Sequence, residues 1–166
     1  MNIFKSKINY HIPLVLQENL IFPSPPFKYT RPLISILMCQ SDIELLKKGN
    51  HISFYIRAKV EVLLECSYTL EHFSHILELD EEVLISDTYN VNEDAMIIEE
   101  DYLNIEEIVY SLIRVNIDMR PIKPGAKLPK GGRNYRFLDE DSFKKEQEEQ
   151  GQSPFENLDL LINKKK

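Results

Sequence analysis

The sequence predicts an α+β fold: an antiparallel, strongly curved or barrel-like sheet with one packed helix and an extended C-terminal arm. Three observations lead there. Apolar residues fall on one parity from Ile52 to Leu70, an apolar stripe of helical spacing runs from Ile105 to Ile113, and beyond position 118 the chain turns to charge, proline and glycine. The expected division is a β-rich domain with its helix over 1–118, and over 119–166 a basic Pro/Gly-rich arm, a polar linker and a short terminal helix.

The elements follow in order. Ile8, Tyr10, Ile12, Leu14 and Leu16 alternate with more polar positions, but Pro13 has no amide to donate, so this strand belongs at a sheet edge. Phe22-Pro23-Ser24-Pro25-Pro26 then breaks regular structure. An apolar run over 33–40 leads to Lys47-Lys48-Gly49-Asn50, a turn whose Gly and Asn tolerate positive φ. From Ile52 the residues Phe54, Ile56, Ala58, Val60, Val62, Leu64, Cys66, Tyr68 and Leu70 share one face, and Arg57, Lys59, Glu61 and Glu65 lie on the other. A straight strand of that length would exceed ~50 Å, so a bend or turn is expected at 66–71. Phe73, His75, Leu77, Leu79 and Val83 then mark a return strand ending near Ile85.

Asn104 stands where a helix N-cap would, with Glu107 at the third helical position as in a capping box. Ile105, Ile108, Val109, Leu112 and Ile113 share one face of the helix expected over 104–116, which ends before Pro121. The polar stretch 139–152 reads as a linker. Ser153-Pro154 reads as a cap before a terminal helix carrying Phe155, Leu158 and Leu161.

Composition narrows the function. The chain has 166 residues, enough for one core, and 20 basic against 27 acidic residues give a net charge of −7, which excludes a protein that coats nucleic acid over its whole surface. Its two cysteines, Cys39 and Cys66, form neither a disulfide framework nor a zinc site. His72 and His75 lie on opposite faces of a strand with no third ligand, so no metal and no cofactor are expected. The absence of a signal-peptide pattern and of a long apolar run predicts a soluble, cytoplasmic protein without membrane contact.

Charge is segregated along the chain. Twelve acids fall between Glu78 and Glu107 with no Lys, Arg or His among them. Between Arg120 and Arg136 the order reverses: Arg120, Lys123, Lys127, Lys130, Arg133 and Arg136 occur without an acid and are spaced by prolines and glycines. Such a loop can contact phosphates, with Tyr135 or Phe137 stacking on an exposed base, or it can simply offset the acidic surface nearby. The glycines at 131 and 132 follow no apolar strand and precede no Lys-Ser/Thr, so they form no P-loop.

Leu64-Glu65-Cys66-Ser67-Tyr68-Thr69-Leu70-Glu71, set between two expected strands, resembles a motif of the YceD family of large ribosomal RNA subunit accumulation proteins. Cys66, Thr69 and Leu70 match the turn of the family's low-GC bacterial branch, the helix from Asn104 to Ile113 matches its helix, and Ser153-Pro154-Phe155 stands where an Asp-Pro-Arg-like signature is expected. Tyr68 replaces the turn's basic residue, Thr69 the second cysteine of other branches, and Phe155 an arginine.

The resemblance implies a non-enzymatic factor for 23S rRNA accumulation and large-subunit assembly, with large-subunit rRNA or its precursor as partner. Two mechanisms stay open. In one, Arg120, Lys123, Lys127, Lys130, Arg133, Tyr135 and Arg136 contact rRNA. In the other, an acidic surface including Glu81, Glu82, Glu99 and Glu100 escorts a basic ribosomal protein.

Overall fold

In the computed structural model, residues 1–88 and 95–150 are described. Along the chain come β1 (Asn2–Phe4), a single 3-10 turn (Lys5–Lys7), β2 (Leu14–Asn19), β3 (Leu33–Lys48), β4 (His51–Glu65), β5 (His72–Ser86), β6 (Met96–Ile97), β7 (Tyr102–Asn104), α1 (Ile105–Asn116) and α2 (Glu140–Gln150). Five strands form one sheet in the order β2-β3-β4-β5-β6, and β1 pairs with β7 in a second, two-stranded sheet.

The heart of the large sheet is a meander of three long strands. Gly49 and Asn50 close the first hairpin, Lys48 pairing with His51, and Gly49 takes φ +63, a region that costs glycine nothing. All neighbouring strands in the meander are antiparallel, and the short β6 adds in parallel to the end of β5. The sheet is open, with β2 and β6 at its edges, so it does not close into a barrel. Register shifts between Leu33 and Ser35 and between Ile36 and Met38 mark the one irregular stretch of β3, and such insertions bend a strand locally.

The alternation places Phe54, Ile56, Val60, Val62 and Leu64 of β4 in the core, opposite Ile43, Leu45 and Cys39 of β3. Each large side chain so buried contributes about 1.5–3 kcal/mol. Helix α1 adds Ile105, Ile108, Val109, Leu112 and Ile113 to the core, the five residues of the apolar stripe. Tyr110, off that stripe, is buried too. Its hydroxyl donates to the Lys28 carbonyl at 2.7 Å and its ring packs against Phe22, Phe27 and Tyr29, so the proline-rich loop is pinned by aromatic contacts.

Three details differ from the sequence reading. The first expected strand begins only at Leu14, just after Pro13, though it does lie at the sheet edge; residues 8–13 lie outside any strand. Asn104 occupies the N-cap position, but among the described residues its side chain makes no capping bond to the Glu106 or Glu107 amide and its Oδ1 is buried without a hydrogen-bond partner, while the first helical amide, that of Ile105, donates to the Met1 carbonyl at 3.1 Å. The stretch read as a linker forms α2: Glu, Lys and Gln favour a helix without any apolar stripe, and Asp139 caps it by accepting the Ser142 amide at 2.7 Å. Hydrogen bonds from the Ser142 hydroxyl and amide hold the Asp139 carboxyl below its usual range.

The chain divides into two compact units, the first ending at Pro124 and the second starting at Gly125. Residues 119–124, expected in the arm, thus belong to the first unit. The expected helix at 155–162 and the Ser153-Pro154-Phe155 signature lie outside the described residues, as do Glu93 and Asp94 of the acidic stretch.

Candidate functional site

Within the first unit, the turn at 66–71 closes the β4–β5 hairpin. The Cys66 amide donates to the Glu71 carbonyl and the Leu70 amide to the Cys66 carbonyl, both at 2.9 Å. Leu70 adopts φ +59, unusual for a residue with a Cβ, and is 66% exposed, so it lies outside the core strand in which its parity placed it. Cys66 is fully buried.

The segment after α1 closes over this turn. Ser67 donates its amide to the Pro121 carbonyl at 2.9 Å, Lys123 donates its amide to Cys66 Sγ at 3.3 Å, and the Lys123 ammonium reaches Glu71 at 2.9 Å. Burial pushes the Cys66 thiol up, but donors from the Lys123 amide, the Thr69 hydroxyl and amide and the Tyr68 amide outweigh it and bring the value down to about 7. Cys39, buried without such donors, is pushed up to about 11. Of the three residues that carry the resemblance noted in the sequence, Cys66 and Thr69 therefore meet, and Leu70 is exposed to solvent. Lys123 acts on the turn as much as on any ligand, a role that no local signal reveals across a separation of 57 positions.

Arg120 lies at the exposed surface of the same unit. The remaining basic candidates belong to the second unit. Lys127, Lys130 and Arg133 are exposed, and no ion pair engages them among the described residues. Arg136 is paired with Glu146 at 2.5 Å. Gly132 and Tyr135 form a β-bridge around a tight turn, and a Cβ on Gly132 would come within 2.5 Å of the Tyr135 ring, so the glycine lets that ring fold close to the backbone. Tyr135 meets Phe137 edge to face with centroids 5.7 Å apart, both rings exposed. Chemically, this stretch offers exposed cationic side chains and two exposed aromatic rings.

The acidic candidates do not form one surface. Glu81 and Glu82 are neighbours on β5 and face opposite sides of the sheet: Glu81 accepts from Asn116 at 2.7 Å at the end of α1, and Glu82 accepts from Lys48 at 2.6 Å and from Ser53. The Lys48 and Ser53 bonds hold the Glu82 carboxyl below its usual range. Glu99 and Glu100 are exposed between β6 and β7. His72 lies 3.9 Å from Glu65, and among the described residues no group of three or more His, Cys, Asp or Glu side chains is placed to hold a metal ion. No helix among them is long and apolar enough to cross a membrane. Comparison with protein-family models, curated proteins and solved structures finds no match for this chain.

Proposed function

We propose that this chain is a non-enzymatic, cytoplasmic factor for 23S rRNA accumulation and large ribosomal subunit assembly that contacts rRNA through its basic loop. The role in ribosome assembly rests on the resemblance of the Cys66 turn to the YceD family. The mode of contact rests on one observation: within one short stretch of chain, Lys127, Lys130 and Arg133 are exposed and so are the Tyr135 and Phe137 rings. Cations supply sequence-independent attraction to phosphates, and an exposed ring offers a stacking platform to an unpaired base. Escort of a basic protein by Glu81, Glu82, Glu99 and Glu100 is the weaker reading, because Glu81 and Glu82 face opposite sides of the sheet and Glu82 is already engaged by Lys48.

The test is co-sedimentation with large-subunit precursors. The protein should travel with them, leave on RNase treatment, and lose the association when Lys127, Lys130 and Arg133 are replaced by Ala. Association that survives both treatments would overturn the loop mechanism, and absence from precursors would overturn the assembly role.

A further inference from the structure

Strand β5 pairs with β4 through an unbroken register from His51↔Ser86 to Glu65↔His72. On its other side β6 covers only Ile85 and Ser86, so among the described residues no strand pairs with β5 between His72 and Leu84. An edge strand turns half of its backbone amides and carbonyls outward, and proteins usually blunt such an edge with charged side chains, a proline, a bulge, a short strand or a covering segment. Strand β5 uses charge, its Glu78, Asp80, Glu81 and Glu82 all being acidic, which repels like edges and leaves basic ones welcome. At the opposite edge β2 is short and preceded by Pro13. Strand β5 contains no proline or glycine and no register shift.

Its charge distinguishes which partner fits. The strand registers align Asp42, Arg57 and Asp80 in one row across β3, β4 and β5, and Gln40, Lys59 and Glu78 in the next. Tyr55 donates its hydroxyl to Asp80 at 2.6 Å. Across these rows acidic or neutral β3 is followed by basic β4 and acidic β5, so a strand added to β5 continues the alternation only if it is basic. A second copy of this chain fits less well, because like charges directly opposite destabilise a sheet. Antiparallel pairing of two β5 edges centred on Leu79 sets Glu78 against Asp80, and centring on Asp80 sets Glu78 against Glu82 and Asp80 against itself. The register centred on Leu77 avoids these clashes but gives Glu78 and Asp80 only Ile76 and Ser74 as partners. One further position along, Ile76 is 54% exposed on the same face and offers an apolar contact.

We propose that the free edge of β5 between Ser74 and Asp80 takes up an extended peptide segment with Lys or Arg at alternate positions, as an added strand of the sheet. Backbone hydrogen bonds supply the attachment, and Glu78 and Asp80 select the basic side chains. This surface is independent of the basic loop and stands or falls apart from the rRNA reading.

The probe is a short peptide of alternating lysine and threonine, compared with an equally charged peptide carrying a central proline. Binding is followed by fluorescence anisotropy, and backbone protection by hydrogen exchange. The first peptide should bind and protect amides between Ser74 and Asp80; the proline peptide should bind far more weakly. Glu78→Gln combined with Asp80→Asn, nearly isosteric and assayed well below its own melting temperature, should weaken binding about five- to tenfold. Equal binding of both peptides, protection elsewhere, protection of these amides in the free protein, or undiminished binding by the double variant would each overturn the proposal.

Discussion

The backbone amide of Lys123 donates to the buried sulfur of Cys66, joining the chain after α1 to the end of the longest hairpin. With the Ser67 amide on the Pro121 carbonyl, it makes the turn a clasp for the segment that leads into the basic loop. Cys66 thus serves as an acceptor as well as a small core residue.

Replacement at Cys66 should separate these two roles. Cys66→Val fills the site but leaves the Lys123 amide buried without a partner, at a cost of about 1–3 kcal/mol; Cys66→Ser keeps an acceptor. Denaturant unfolding should find the serine variant the more stable. A valine variant at least as stable as the serine variant would show that the Lys123 amide needs no acceptor there.

Stability should also carry a pH signature. The folded Cys66 thiol titrates at about 7 against an ordinary 9.0, so between those values the unfolded chain binds more protons and stability rises with pH. This contribution is fully present above the unfolded value and disappears as pH falls through about 7. The carboxylates of Glu65 and Glu71 and the ammonium of Lys123 lie around the turn, so the Cys66→Ser variant is the control that removes the thiol alone. Melting temperature of the native protein, relative to that variant, should climb from pH 7 to 9 and then level off; a constant difference would contradict the donor cradle.

Salt dependence can count the cations that reach RNA. If all six basic residues between Arg120 and Arg136 neutralise phosphates, the log–log slope for single-stranded RNA is about −4 and affinity falls several hundred-fold from 50 to 200 mM salt. With Lys123 held by Glu71, Arg136 by Glu146 and Arg120 also engaged, contact through Lys127, Lys130 and Arg133 alone gives a slope of about −2 and a fall of about twentyfold. The shallower slope is expected from a filter-binding titration.

Leu70 provides a check on backbone strain. Its positive φ carries a penalty of about 1 kcal/mol for a residue with a Cβ, and its exposed side chain buries little in return. Leu70→Gly should be neutral or slightly stabilising in thermal unfolding, in spite of the greater freedom it gives the unfolded chain. A clear loss of stability would mean that the leucine side chain supports the turn.

How far the sequence reveals this structure depends on how local each signal is. The Gly49-Asn50 turn, the alternation in β4 and the stripe of α1 are readable because their residues are close neighbours in sequence. Asn104 has the residue type and spacing of a helix cap, yet its side chain makes no capping bond, and the Met1 carbonyl that accepts the first helical amide is brought in by β1 from more than a hundred positions away. Helix α2 was hidden because propensity alone, without apolar periodicity, was its only sign. At the candidate site, the exposed basic residues were legible from composition, and the engagement of Lys123 and Arg136 was not, since their partners are set by folding. The opposed faces of Glu81 and Glu82 follow from strand parity once both are placed in β5. The acidic-basic-acidic order across β3, β4 and β5 was within reach too, by counting outward from the Gly49-Asn50 turn to align the strands.

Strand β1 meets β7 with Asn2 opposite Asn104, so this small pairing closes a ring of chain that contains the whole meander. The long hairpins form between consecutive segments and close only short loops, whereas β1 and β7 must meet across that ring. Because the entropy of closure grows only with the logarithm of loop length, the ring is affordable in equilibrium stability yet slow to search. The order of assembly expected from this is hairpins first and ring last, and hydrogen exchange under mild denaturant should find the β1–β7 amides exchanging before those of the β4–β5 register.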